Sequence, residues 1–345
     1  MFASPRLVFM LSYIKNSIQL IFSWNVCKIF TSFSLLLLIQ SGCNPESVEL
    51  KKYFRIGSGE TQGVYYLAAQ AIAQLVEKTS KDRAQVDIKA STGSVENING
   101  LSKRRVQFAF AQSDRVYQAY HGEGYWRHRP QNKLRFVCSF HNEALTLIAR
   151  DDSRIDSLGD LINKKVSLGD KNSSTQVNAV EVLEAVNLQA DVDFDRVYFS
   201  SNDLFKELQN GNVDALFYMA GHPNELCAEI SKLPQGVHMV PISGINELIE
   251  EKPYYFPVEI SASYYPRMKG PKKIPSVGVR CVLLSSTEVE DELVYELLET
   301  LFKNIPGLQR KHPAFQNLEP ENMVKGAVIP VHPGAEQYYK NQGYL

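Results

Sequence analysis

The chain has 345 residues, 44% of them hydrophobic and 22% charged, the proportions of an ordinary globular protein of about two domains. Its 37 basic and 38 acidic residues leave a net charge of −1, which excludes the electrostatic footprint of a nucleic-acid or anionic-membrane binder. No long low-complexity run, heptad seam or repeat of about 20–50 residues interrupts it.

Residues 1–43 are nearly free of acidic side chains. Lys28 precedes Ile29-Phe-Thr-Ser-Phe-Ser-Leu-Leu-Leu-Leu-Ile-Gln-Ser-Gly-Cys43, a basic flank, a short apolar core and small residues before a cleavage point. That is the make-up of a secretory signal, and the apolar core is shorter than the roughly 20 residues of a spanning helix. Ser41-Gly42-Cys43 is similar to the end of a bacterial lipoprotein signal, which implies a lipid on Cys43, although Gln40 stands where a leucine-like residue is usual. The competing reading of this segment is an uncleaved membrane anchor.

After a polar linker at 44–52, strands and helices alternate. Tyr53–Ile56 reads as a strand, and a loop carrying Gly57, Gly59 and Gly63 opens a helix that runs to Lys78. Val64, Leu67, Ala68, Ala71 and Leu75 follow its 3.6-residue period. Gln85–Ala90 alternates polar and apolar, Ser91–Leu101 is a polar loop entering a helix, and Gln107–Ala111 is a short buried strand. Arg135–Phe140 and Leu145–Arg150 read as two more strands. A second unit follows: a short helix at Ile155–Leu161, a strand at Lys165–Gly169, helices at Thr175–Val186 and Asp203–Gln209, and strands at Val213–Tyr218 and His238–Pro241. Strand-like segments at Tyr254–Ile260 and Ser276–Leu284 and a helix at Asp291–Asn304 complete the pattern. The expectation is an α/β fold of two Rossmann-like lobes with mostly parallel sheet, joined by a hinge, with the ligand cleft between them. Residues 44–147 and 250–345 would form one lobe and 148–249 the other.

The loops that enter helices are the candidate site. Free amides at a helix start, beside glycines that let a ligand touch backbone, favour a small anion. Gly59 belongs to such a loop, although the three glycines also suit a plain strand-to-helix turn. Of Tyr65 and Tyr66, one belongs to the core and the other can meet a ligand, with Tyr66 favoured. Ser94 and Asn97 suit either a helix cap or a ligand contact. Gln112 and Ser113 follow a buried strand, where cleft residues of α/β sheets gather, and Asp114 reads as a cap. Ser174, Thr175 and Gln176 offer hydroxyl and amide donors at another helix start. The seven histidines are scattered without an H-x-x-x-H pair, no two cysteines have metal-ligand spacing, and Cys138 and Cys281 read as buried free thiols. No cofactor or metal site is expected.

Ordered motifs over residues 53–345 carry a resemblance. Gly57–Tyr66, Gly93-Ser-Val-Glu-Asn97, Ala111-Gln-Ser-Asp114 with Tyr117-Gln-Ala-Tyr120, Gly221-His-Pro-Asn224 and Pro330-Val-His-Pro-Gly-Ala335 resemble the TAXI family, extracytoplasmic solute-binding proteins of TRAP transporters. The resemblance adds Gly221 to the candidate ligand contacts. It implies a periplasmic or membrane-tethered receptor that closes on a small organic anion, a glutamate-like amino acid or dicarboxylate, and delivers it to a TRAP-type membrane permease. Two segments depart from the family pattern. Asp170-Lys-Asn-Ser-Ser-Thr-Gln176 replaces a glycine-rich Gly-Ser-Gly-Thr loop, and Asn142-Glu143 replaces Pro-Glu. The competing classes are a sensory receptor for a signalling partner and an enzyme on the same two-lobed fold. Against the enzyme stands the lack of any G-x-S-x-G, H-E-x-x-H or paired-cysteine motif.

Overall fold

Short apolar strands alternating with amphipathic helices build an α/β fold on one ten-stranded sheet. The computed structural model describes residues 52–61, 63–81, 84–171 and 173–345; the signal segment and Cys43 lie outside them. Strand β1 (Lys52–Gly57) leads to helix α1 (Val64–Thr79), then β2 (Ala84–Lys89), α2 (Ser94–Ser102), β3 (Phe108–Gln112) and α3 (Ser113–His121). Strand β4 (Leu134–Arg150) precedes β5 (Lys165–Ser167), α4 (Ser174–Ala185), β6 (Asp195–Val197), α5 (Ser201–Gln209) and β7 (Ala215–Ala220). There follow α6 (Glu225–Ile230), β8 (Val237–Val240), α7 (Asn246–Glu251), β9 (Phe256–Ser261) and β10 (Lys273–Ser286). Helices α8 (Asp291–Lys303), α9 (Ile305–Gln309), α10 (Pro320–Met323) and α11 (Pro333–Gln342) close the chain.

The strand order is β2-β1-β3-β10-β4-β7-β5-β6, with β8 added to β4 and β9 to β10. Strands β2-β1-β3 form one parallel trio and β7-β5-β6 another. Between them run β4 and β10, antiparallel to each other and to the trio strands they touch. The sheet is therefore mixed, not mostly parallel as the sequence pattern suggested. The cause is those two long strands, which run from one lobe into the other.

Strand β4 also differs from expectation. It is one strand of 17 residues, where two were expected. Asn142 and Glu143 lie between the two expected strands, yet they sit in the ladder opposite Arg280 and Val279 of β10. With backbone groups taken by a neighbouring strand, a polar pair costs the strand little and need not become a turn. The first half of β4 pairs with β10 and the second half with β7 and β8, so both lobes are sewn to one backbone.

Each lobe buries apolar side chains on both faces of its trio. Around the first, α1, α8 and α11 cover Phe54, Ile56, Phe108 and Phe110, while α2 and α3 with Trp126 cover Ala109, Ala111 and Val282. Around the second, α4 covers Val166 and Phe217, and α5 with α6 covers Leu216 and Ile148. The buried face of α1 is Ala68, Ala69, Ala71, Ile72, Ala73 and Val76. Small alanines let α1 lie close on the sheet, leaving Val64, Leu67 and Leu75 at the edge of the contact.

Candidate functional site

Strands β3, β4 and β7 and the starts of α2 and α4 enclose a cavity of about 360 Å³. Tyr65 of α1, the α2 entry Thr92–Val95, Gln112, Glu143, the α4 entry Asp170, Lys171 and Ser173–Thr175, and Met219 line it. Both helix entries are built alike. Ser94 Oγ accepts the N–H of Gln112 at 3.0 Å, and Thr175 Oγ1 accepts the N–H of Met219 at 3.2 Å. A hydroxyl one turn-start into each helix thus pins that helix to the end of its own lobe's strand. Thr175 spends an acceptor lone pair there and keeps its proton for another partner.

Gly93 stands just before α2; its φ of 117° favours glycine, and its missing side chain leaves the first amides of α2 without a side-chain cap. Helix α4 is capped by Ser173, whose Oγ accepts the N–H of Gln176 at 3.2 Å. The positive ends of two helix dipoles therefore meet in one cavity, joined by the ammonium of exposed Lys171.

The deeper wall has the opposite polarity. Glu143, 5% exposed, projects from the middle of β4, and its Oε2 accepts from Gln112 Nε2 at 2.6 Å. Its Oε1 has no hydrogen-bond partner, and neither has the Oε1 of Gln112. Burial pushes the Glu143 carboxyl up to about 7; neighbouring Tyr65 and Gln112 act to lower it, and the charge of Asp114 adds to the rise. Next to it, burial drives His141 down to about 3, with a further push from His312, so its imidazole is neutral and both ring nitrogens lack partners. Burial and then Glu143 raise the Tyr65 phenol, and burial and then Glu143 likewise raise the Cys281 thiol.

His141, Glu143 and Cys281 each offer one atom, all within 4.8 Å of one another. Among the described residues this is the one group of three side chains with metal-ligand chemistry.

Of the sequence candidates, Ser94, Gln112, Ser174 and Thr175 line the cavity. Tyr65, not Tyr66, supplies the tyrosine at the wall. The apolar stripe of α1 is rotated from the one read in the sequence, which swaps the two rings. Asn97 is a structural staple: its Nδ2 donates to the carbonyls of Ser58 and Phe110, and its Oδ1 accepts from Ser91 Oγ at 2.8 Å. Ser113 Oγ accepts the N–H of Arg280 at 3.1 Å, tying α3 to β10. Gln176 reaches Tyr198 Oη at 3.2 Å. Gly59 packs on Tyr65, and Gly221 lies under His141, where an added Cβ would come within 2.8 Å of the ring. Lys171 falls in a segment that departs from the family pattern, and Glu143 is the member of the Pro-Glu pair that this chain keeps. The signal for Glu143 was a lone glutamate in a long apolar run.

Asp114 is more than a cap. Arg115 grips its Oδ2 through Nε at 3.0 Å and Nη2 at 2.9 Å, and Asn178 Nδ2 of α4 donates to the same oxygen at 2.7 Å. Asn178 also meets Tyr255 Oη at 2.8 Å, and that hydroxyl donates to Glu181 at 2.7 Å. Helices α3 and α4, one from each lobe, are thereby linked through a buried charged network.

A model of the NMT1-like family matches residues 56–343, and the chain belongs to that family. Its fold is similar to that of XAC2383 from Xanthomonas citri bound to ATP, with a TM-score of 0.52 at 10% identity over 84% of this chain and 95% of that one. A protein of Bordetella bronchiseptica RB50 is similar with a TM-score of 0.50 at 11% identity, covering 85% of this chain and 98% of that one. The periplasmic aliphatic sulphonate binding protein SsuA of Escherichia coli scores 0.49 at 17% identity, over 84% of this chain and 88% of that one.

Proposed function

From its place in the NMT1-like family and from this cavity, we propose that the protein is an extracytoplasmic solute-binding receptor. It captures a small organic acid between its lobes and hands it to a membrane transporter. The observation that carries the reading is the meeting of two helix N-termini, one from each lobe, in a polar cavity of about 360 Å³. A ligand that touches both gains its full contacts only when the lobes are closed, so it shifts the population toward the closed form. Residues 44–147 with 250–345 form one lobe in this reading and 148–249 the other. The residues that resemble the TAXI family favour a TRAP-type permease as partner, and a lipid on Cys43 would hold the receptor at the outer face of the membrane.

A receptor also suits the nucleophile inventory. Burial pushes the thiol of Cys227 up to about 12 and raises those of Cys138 and Cys281, so none is an activated thiolate. His222 is held between Thr146 Oγ1 at 2.8 Å and Tyr265 Oη at 2.6 Å, a neutral structural bridge.

A thermal-shift screen of the protein against amino acids, dicarboxylates, keto acids and sugars tests the reading. A ligand at 100 times its Kd should stabilise the fold by about 2.7 kcal/mol. No shift with any of them, together with no small molecule released on denaturation, sinks it. Co-purification with a TRAP-type permease, rather than another membrane protein, tests the partner.

A further inference from the structure

We propose that the protein has a second binding site, for a small monocarboxylate with an apolar body, in a separate cavity of about 410 Å³ where Arg280 takes the carboxylate in a two-bond fork.

This cavity is not part of the one at the helix starts. Asn142 and Ala144 line it, whereas Glu143 between them lines the other. Adjacent side chains of a strand point to opposite faces, so β4 stands between the two cavities. The walls of the second come from both halves of the sheet. Val258 and Ile260 of β9 pack with the core around Leu216, and Ala314 packs with the core around Phe110.

Arg280 of β10 is half-buried and held from two sides. Its guanidinium lies over the Phe256 ring, 4.8 Å from the centroid. Gly326 makes room for its stem, since a Cβ there would run into Cδ and Nε of the arginine. Yet among the described residues the guanidinium has no hydrogen bond and no ion pair. Burial lowers its pKa and no acid offsets that, in contrast with Arg115 beside Asp114. Glu259, the acid of the lining, is paired with Lys273 at 2.6 Å. A partly desolvated cation, kept in place without a counter-charge, gains from an anion that enters the cavity.

The lining selects the class of anion. One guanidinium balances one negative charge, and its planar fork matches a carboxylate. Asn142 and Asn317 add neutral side-chain amides, and burial keeps the imidazoles of His141 and His222 uncharged. A phosphate dianion or a dicarboxylate would bring a second charge that nothing in this lining balances. Phe140, Phe256, Pro257 and Pro313 offer apolar surface to the rest of the ligand, in a volume usual for a small-molecule pocket.

The test is calorimetric titration of the protein with benzoate and 3-phenylpropionate, beside benzamide and inorganic phosphate. At least one carboxylate should bind and benzamide should not. Arg280→Gln should weaken the carboxylate by about tenfold or more. Arg280→Lys, which keeps the charge and loses the fork, should weaken it too, and it reads the same point if the glutamine variant does not fold. Lys171→Gln, at the entry of the other cavity, should leave this affinity unchanged. No binding by either carboxylate overturns the proposal. So does binding that is unchanged in every Arg280 variant that folds, binding lost in Lys171→Gln, or equal affinity for benzamide. Phosphate bound more tightly than the carboxylates overturns the assignment to a monocarboxylate. None of these outcomes decides the receptor reading, which the thermal-shift screen tests at the other cavity.

Discussion

Asp114 and Glu143 are both carboxylates withdrawn from solvent, and their surroundings are opposite. Asp114 is fully enclosed by protein donors: a guanidinium from its neighbour and an amide from the other lobe. Glu143 has one donor on one oxygen and none on the other. The first cluster is complete without a ligand and works as a joint between α3 and α4. Burial acts to lower the Arg115 pKa there, yet the attraction and hydrogen bonds of Asp114 more than offset it, and the guanidinium is held firmly charged. The second is incomplete. Carboxylates alike in burial thus divide into one that joins α3 to α4 and one with an oxygen that makes no hydrogen bond, and the hydrogen-bond inventory separates them where burial does not.

The largest expected effect comes from breaking the complete cluster. Asp114→Asn preserves shape and removes the counter-charge of Arg115, whose side chain is almost wholly buried. Removing one member of a buried pair costs about 3–5 kcal/mol, read as a drop in unfolding free energy in urea. The charge of Glu181 also acts on Arg115. A loss below about 1 kcal/mol would mean that Glu181 takes over and the joint is not the one described.

The opposite sign is expected at Glu143. Its folded pKa of about 7 lies above its ordinary value of 4.5. Between those values the folded protein keeps a proton that the unfolded chain has released, so unliganded stability falls as pH rises through this window. Above pH 7 the buried charge costs on the order of 3 kcal/mol. Glu143→Gln should therefore melt higher than the parent at pH 8, with the gap closing toward pH 5. A variant that melts lower at pH 8 would show that the protein stabilises the charged carboxylate beyond its bond from Gln112.

The sequence made the α/β alternation legible, along with the two helix entries, because apolar periodicity and polar loop composition act locally. Ser94, Gln112, Ser174 and Thr175, which that reasoning singles out, line the cavity, since the end of a buried strand and the start of a helix are recognisable from neighbours in the chain. The unbroken β4 was not legible. Its continuity through Asn142 and Glu143 depends on β10, more than a hundred residues away in the chain. Glu143 was hidden for a related reason: its meaning comes from Gln112, 31 residues earlier on another strand, and from a second oxygen without a hydrogen bond, and neither fact lies in the local sequence. That Tyr65 and not Tyr66 lines the cavity has a smaller cause. Alanines dominate α1, and a stripe drawn through its larger residues is rotated from the face that packs.

The smallest effects separate two polar residues that the sequence placed in the same site. Asn97 sits 3% exposed and joins the β1 exit, the α2 entry and β3 through three hydrogen bonds. Asn97→Ala removes three hydrogen bonds, although Ser91 Oγ and the Ser58 carbonyl keep the one between them, and should lower unfolding free energy by about 1–3 kcal/mol, with affinity falling only because the α2 entry loosens. Thr175 faces the cavity, and its strand partner Met219 faces it too, so water can replace the lost acceptor. Thr175→Ala should therefore weaken ligand binding by about 1 kcal/mol with a smaller change in melting temperature, and Thr175→Ser, which restores the hydroxyl, should recover it. Paired melting and titration curves for the three variants read both quantities. If Asn97→Ala loses affinity at full stability, the staple itself touches ligand, and the cavity extends under α2 farther than its present walls.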